Sequence, residues 1–212
     1  MNLPVFPWPG HAVQALVVDL PVALEQLPSP AWLVALLAAD APAPVRAFEA
    51  CKGAVRDLLR GHGYRPTGRG KPSSEYLAGA VAEGRLGSIN AVVDVGNAAS
   101  LHSGLPISVV DLALCERPLR IDVPPPGSGY VFNRGGQTID VAGLPCLFDA
   151  QGPCANAVKD AQRSKTTPAT QRVLAVVWGV QVPDGAHAAA TVAWLRDLFG
   201  RLGARVSDVT LG

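Results

Sequence analysis

The chain has 212 residues, of which 49% are hydrophobic and 17% charged, with a net charge of +1. That is enough apolar material for a substantial core and too little charge for a disordered chain. The near-zero balance excludes a protein that binds nucleic acid through its overall charge.

Met1-Asn2-Leu3-Pro4 has no basic residue ahead of an apolar stretch, unlike a secretory signal. The longest apolar run, residues 31–39, is far too short to span a bilayer. A soluble, cytoplasmic protein with no membrane partner is therefore expected. Residues 12–18 read as an apolar strand. Ser29-Pro30 then starts a short helix, which Pro42 and Pro44 interrupt. A longer helix is expected over 45–60, where Val45, Phe48, Lys52, Val55 and Leu59 fit a 3.6-residue period, with the stem of Lys52 lying along the apolar stripe. Gly61 closes it. Residues 62–72 form a basic, glycine-rich loop, after which Ser73 or Ser74 caps a third helix reaching about Arg85. Residues 90–103 form a fourth, on which Asp94 and Asn97, three positions apart, share a face. Gly104 and Pro106 end that helix and set a turn before a further acidic residue, Asp111.

Beyond Asp111 the pattern turns to strands. Residues 119–123 alternate like a half-buried strand, and 130–132, 138–141 and 144–148 read as short strands separated by glycine turns. Residues 174–180 give another. A Pro183-Asp184-Gly185 turn leads to a last helix over 186–202, and 205–211 form a closing strand. Helices early and strands late argue for an α+β fold, with N-terminal helices packed on a mostly antiparallel sheet and a C-terminal helix and strand. With no repeat or low-complexity linker, the whole of 1–212 is expected to be one domain.

Charge is unevenly spread. Residues 46–71 carry seven basic side chains against Glu49 and Asp57, so the rest of the chain is net negative. Lys52, Arg56, Arg60, Arg65, Arg69 and Lys71 thus form a candidate electropositive surface for an RNA backbone, or else one solvated helix face and loop.

Several chemistries are excluded by spacing. The Gly68-x-Gly70-Lys71 run is not a phosphate loop: Arg65 stands where its first glycine belongs, and Pro72 stands where Ser or Thr is required. His11, His62, His102 and His187 show no paired metal-ligand spacing, so neither a metal nor another cofactor is expected. Cys51, Cys115, Cys146 and Cys154 contain no Cys-x-x-Cys; they read as buried small hydrophobes, with a Cys146–Cys154 disulfide as the alternative. Ser108 lies in no Gly-x-Ser-x-Gly elbow. His102 is six residues before it, either approaching Ser108 or sitting at the surface of a helix end.

One run is more specific. Asn90-Ala-Val-Val-Asp94-Val-Gly-Asn97, then Leu101, Gly104-Leu-Pro106-Ile107 and Asp111, resembles the signature of the B3/B4 domain. That domain belongs to the phenylalanyl-tRNA synthetase beta subunit and also occurs in small free-standing proteins. The stretches 64–77 and 165–170 resemble the flanking parts of the free-standing forms, so the likeness spans residues 46–182. The resemblance implies an α+β domain whose strands wall an amino-acid pocket, which receives the aminoacylated 3′ end of tRNA and hydrolyses the ester. Where the synthetase motif commonly carries His, this chain has Ser108, which hydrogen-bonds but does not hold a proton near neutral pH.

Hydrolysis of an activated ester requires mainly a positioned water and donors for the developing oxyanion. Asn97, Ser108, Asp94 and Asp111 are the candidate catalytic residues, with the 127–129 and 135–136 glycine turns as sources of backbone amides. The structural alternative is that Asp94 and Asp111 cap and crosslink local elements. The functional expectation is an RNA-binding protein that hydrolyses mischarged aminoacyl-tRNA in trans. Its alternative is a non-catalytic module that binds tRNA or another RNA, or a free amino acid.

Overall fold

The computed structural model describes residues 1–182 and 185–212. The chain begins with strands β1 (Asn2–Leu3) and β2 (Gln14–Asp19). Four helices follow: α1 (Ala31–Ala35), α2 (Glu49–Arg60), α3 (Ser73–Ala82) and α4 (Ala91–Ser103). Then come strands β3 (Ile107–Asp111), β4 (Arg120–Asp122), β5 (Gly129–Val131), β6 (Thr138–Asp140), β7 (Cys146–Asp149), β8 (Gly152–Asn156) and β9 (Arg172–Val177). Helix α5 (Ala186–Arg201) and strands β10 (Arg205–Asp208) and β11 (Thr210–Leu211) come last. The fold is α+β.

The largest sheet runs β10-β2-β9-β3 and is antiparallel throughout. Its middle strands, β2 and β9, are buried over 15–18 and 173–177 without a polar alternation, so neither face is open to water. Helix α4 packs on β3 and α5 on β2 and β10, while β8 approaches β3. Each fully buried leucine here, such as Leu16 or Leu174, contributes about 2 kcal/mol relative to exposure. A second antiparallel sheet runs β4-β7-β8, strands β5 and β6 form a hairpin, and β1 pairs in parallel with β11. No described helix is long and apolar enough to cross a membrane.

Helix α4 follows its sequence signals closely. Asn90 is the N-cap, its side chain accepting from the Val93 amide at 3.0 Å, and Gly104 ends the helix at a φ of 76° that few other residues adopt. Gly96 is where the helix meets β3: a Cβ there would lie 2.9 Å from Val109 Cγ2, so only glycine allows that approach.

Elsewhere local signals yield to packing. Helix α2 starts at Glu49 rather than Val45, because the Ala47 amide pairs with the His102 carbonyl and Phe48 stays extended. Lys52 then points to solvent rather than along the apolar stripe. Neither Ser73 nor Ser74 caps α3: Pro72 holds the cap position and the Ser73 amide donates to Ala157. Strands β3 and β8 arise in stretches where no strand was expected, and the closing strand divides into β10 and β11, each with its own partner. All four cysteines are buried free thiols, and no Cys146–Cys154 disulfide is present. Of the turn expected ahead of α5, Pro183 and Asp184 lie outside the described residues.

Candidate active site

A cavity of about 760 Å³ opens between α4, β3, residues 24–29, residues 160–168 and the tip of the β5–β6 hairpin. The helix contributes Val93, Gly96 and Asn97, spaced at three and four residues and therefore on one face. The strand contributes Ile107 and Val109, the alternate residues that share one side. Ser108, between them, faces away and is buried behind the wall. Leu24, Leu27 and Pro28 supply an apolar side; Asp160, Lys165 and Arg134 supply charge. The enclosure is thus built largely by a helix and loops, with one strand, where the family resemblance implied strand walls.

Asp160 is the most chemically distinctive group in the cavity. Its Oδ1 accepts from Ser108 Oγ at 2.7 Å and from the Asn156 amide at 3.4 Å. Burial pushes its carboxyl up to about 6, against the opposing pull of the Ser108 hydrogen bond, the Lys165 charge and two backbone amides. Desolvation wins because a half-buried carboxylate loses more hydration than these partners return. Ser108 is itself held by Trp178, whose Nε1 donates to Oγ at 2.9 Å. The Asn156 carbonyl lies 3.2 Å from the same hydroxyl, but its one proton goes to the nearer, charged acceptor. Lys165 donates from Nζ to the Phe132 carbonyl at 2.6 Å, and burial lowers its pKa.

Of the four residues expected at the site, only Asn97 lines the cavity. Ser108 touches it through Asp160. Asp94 is fully buried just behind the wall, where it accepts from Ser29 Oγ at 2.5 Å, from Ser88 Oγ and from the Ile89 amide at 2.8 Å. Ser29 and Ser88 do line the cavity, so Asp94 fastens two wall segments to α4. Asp111 is buried away from it, accepting from Thr170 Oγ1 and the Ala113 amide. None of the expected glycine-turn amides, at 127–129 or 135–136, belongs to the lining. His102 neither approaches Ser108 nor lies at the surface: it is buried, against the Leu36 carbonyl, Arg46 and the edge of Trp194.

Asp160 carried no motif. Its one local signal is a short cluster of charge, Lys159, Asp160, Arg163 and Lys165, directly after the buried run 154–158. The N-terminal segment carried none either, yet residues 24–29 form one wall.

The basic residues divide into two groups. On α2, Lys52 pairs with Glu49, Arg60 with Asp57, and Arg56 makes a two-point contact with Glu75 at 2.6 Å on each arm. Arg65, Arg69 and Lys71 are exposed on the following loop, and no carboxylate pairs with them among the described residues. The loop, more than the helix, therefore presents uncompensated charge.

Cys115, Asp149 and Cys154 bring potential metal-ligand atoms within 4.8 Å of one another. Arg163 already donates to both oxygens of Asp149, so a cation there would have to displace a guanidinium. The two buried thiols lie side by side and shift in opposite directions, Cys115 downward and Cys154 upward, as each acts on the other's proton.

Helices on an antiparallel sheet, with a cavity lined by both polar and apolar side chains, define an α+β domain. Residues 65–190 match the B3/4 domain, and the chain belongs to that family. No curated protein matches it by sequence. Among solved structures it is similar to an N-terminal fragment of the phenylalanyl-tRNA synthetase beta subunit from Pyrococcus horikoshii, at 11% identity and a TM-score of 0.43. That likeness covers 57% of this chain and 42% of the fragment, so the chain spans less than half the fragment's length.

Proposed function

We propose that the chain hydrolyses the ester of a mischarged aminoacyl-tRNA in trans, with the aminoacyl group seated in the 760 Å³ cavity. The observation that carries this reading is Asp160, a carboxyl near pH 6 facing a cavity that is apolar on one side and cationic on the other. Such a group is roughly nine-tenths ionised at neutral pH and still basic enough to accept a proton from water. Membership of the B3/4 family supports the same substrate class.

In the proposed reaction Asp160 takes a proton from a water molecule as its oxygen bonds to the ester carbonyl carbon. The tetrahedral intermediate then collapses, the bond to the ribose oxygen breaks, and the proton passes from Asp160 to that oxygen. Lys165 supplies positive charge for the developing oxyanion. Asn97 hydrogen-bonds the aminoacyl group, and Leu24, Leu27 and Pro28 meet its side chain. Arg65, Arg69 and Lys71 hold the RNA backbone as point charges. Ser108 holds Asp160 in place and does not attack. Asp94 and Asp111 support the wall and the strand end.

Incubating the protein with a panel of correctly and incorrectly charged tRNAs, and following loss of the ester, tests this. Selective hydrolysis that falls by about 10² or more in Asp160→Asn is the expected result. Binding of tRNA with no turnover across the panel would make the chain a binding module instead.

A further inference from the structure

A second cavity, of about 490 Å³, lies on the other side of the β5–β6 hairpin from the main one. Arg69 and Lys159 bring positive charge to it, Tyr64 and Phe132 bring aromatic surface, and Asp140 brings a carboxylate. It shares no lining residue with the main cavity.

Phe132 stands between the two. Its carbonyl accepts from Lys165, which lines the main cavity, while its ring lies 4.2 Å beneath the ammonium of Lys159, which lines the second. The hairpin tip continues this arrangement: Arg134 lines the main cavity, and Gly136 and Gln137 line the second. A line of cations therefore runs from Arg69 and Lys159, across the hairpin at Arg134, to Lys165. Lys159 is fixed over an aromatic face rather than free to swing, so little ordering cost remains when it meets an anion.

We infer that the second cavity is a nucleotide subsite, which takes the residue preceding the 3′-terminal nucleotide of a single-stranded RNA end whose last nucleotide occupies the main cavity. Lys159 and Arg69 contact the intervening phosphates. The aromatic edges of Tyr64 and Phe132 face the base, as in other single-strand sites where sequence-tolerant aromatic contact accompanies a cationic track. Asp140 adds an acceptor suited to an exocyclic amino group, such as that of cytosine. The inference deepens the proposed function and rests on it for the identity of the polymer, but it concerns binding alone.

The test uses the full chain and uncharged oligonucleotides, so turnover plays no part. Dissociation constants are measured for CCA, UUA, adenosine 5′-monophosphate and cytidine 5′-monophosphate. CCA is expected to bind at least about ten-fold more tightly than adenosine monophosphate. That ratio is expected to collapse toward one in Arg69→Ala, a change at an exposed side chain, and in Lys159→Gln, a change at a half-buried one. Weaker binding of UUA, with the difference lost in Asp140→Asn, identifies the amino group as the feature read. Equal affinity for CCA and adenosine monophosphate, or a ratio unchanged by both substitutions, overturns the subsite. Tight binding of cytidine monophosphate alone, unaffected by joining it to the terminal adenosine, would mark a free-nucleotide site and also overturn it. A failure of ester hydrolysis leaves all of these readouts intact.

Discussion

Ser108 donates to Asp160 across 2.7 Å, joining a strand residue to a loop residue 52 positions away in the chain. The serine is buried behind the cavity wall and the aspartate lines it, so a hydroxyl outside the cavity orients a carboxyl group that faces it. Trp178, bonded to the far side of the same hydroxyl, fixes its rotamer.

This arrangement has a pH signature. Hydrolysis is expected to rise with pH through about 6, as Asp160 ionises, and to level off near neutrality. The Ser108 bond favours the ionised form, so Ser108→Ala should move the acid limb upward by about one pH unit. Ser108→Thr should restore it. A purely structural serine would lower the plateau and leave the limb in place. The pH profile of kcat/KM distinguishes the two.

Asp160 also links stability to pH. Its carboxyl is raised in the folded chain from an ordinary 3.8 to about 6, so the folded state binds the proton more tightly than the unfolded one. Its contribution to stability is therefore fully present below about pH 4 and is lost as pH rises through about 6. Asp160→Asn removes this dependence. Across that window the unfolding free energy of the natural chain should fall relative to the variant by about 2–3 kcal/mol. Urea denaturation of both proteins at several pH values between 4 and 7 measures the difference, and parallel curves would contradict it.

Asp94→Ala should destabilise by about 2–4 kcal/mol, because it strands three donors, the hydroxyls of Ser29 and Ser88 and the Ile89 amide. The loss should be felt locally as well. Amide hydrogen exchange in residues 24–29 is expected to accelerate more than in β2 or β9. Uniform acceleration across the chain would show that the clamp serves the whole core rather than the wall.

The basic residues should separate by their partners. Combined replacement of Arg65, Arg69 and Lys71 by alanine should weaken tRNA binding and reduce the slope of log affinity against log salt by about 3 at most. Arg56→Ala should leave that slope nearly unchanged and instead lower thermal stability, since its guanidinium is committed to Glu75. Filter binding at several salt concentrations, with a melting curve for each variant, checks both expectations.

Much of the scaffold was legible because its signals are local. Asn90 and Gly104 bracket α4, and the apolar runs of β2 and β9 stand out from their flanks. The site was less legible because its decisive contacts join distant positions. Asp94 and Asn97 share a helical face by spacing, but the two serines that turn Asp94 inward come from other segments. Ser108 sits in the family motif, yet its role depends on a strand whose alternation aims it away from the cavity. Asp160 has no motif, and its acidity comes from burial, a property of the assembled fold. The late start of α2 has the same origin: a hydrogen bond from Ala47 to His102, 55 positions on, outweighs the helical period that begins at Val45.

The wall formed by residues 24–29 is tied down by backbone bonds from Leu24 and Glu25 to Thr170 and Pro168 and by the bond from Ser29 to Asp94, whereas Asp160 is held by Ser108 of the central sheet. What the cavity admits and what it does to its occupant are thus encoded in different parts of the chain. Changes at Leu27 or Pro28 reshape the opening without asking the core to repack, whereas Leu24 belongs to the core. A fold divided in this way can alter the shape of its cavity in small steps, each leaving Asp160 where it was.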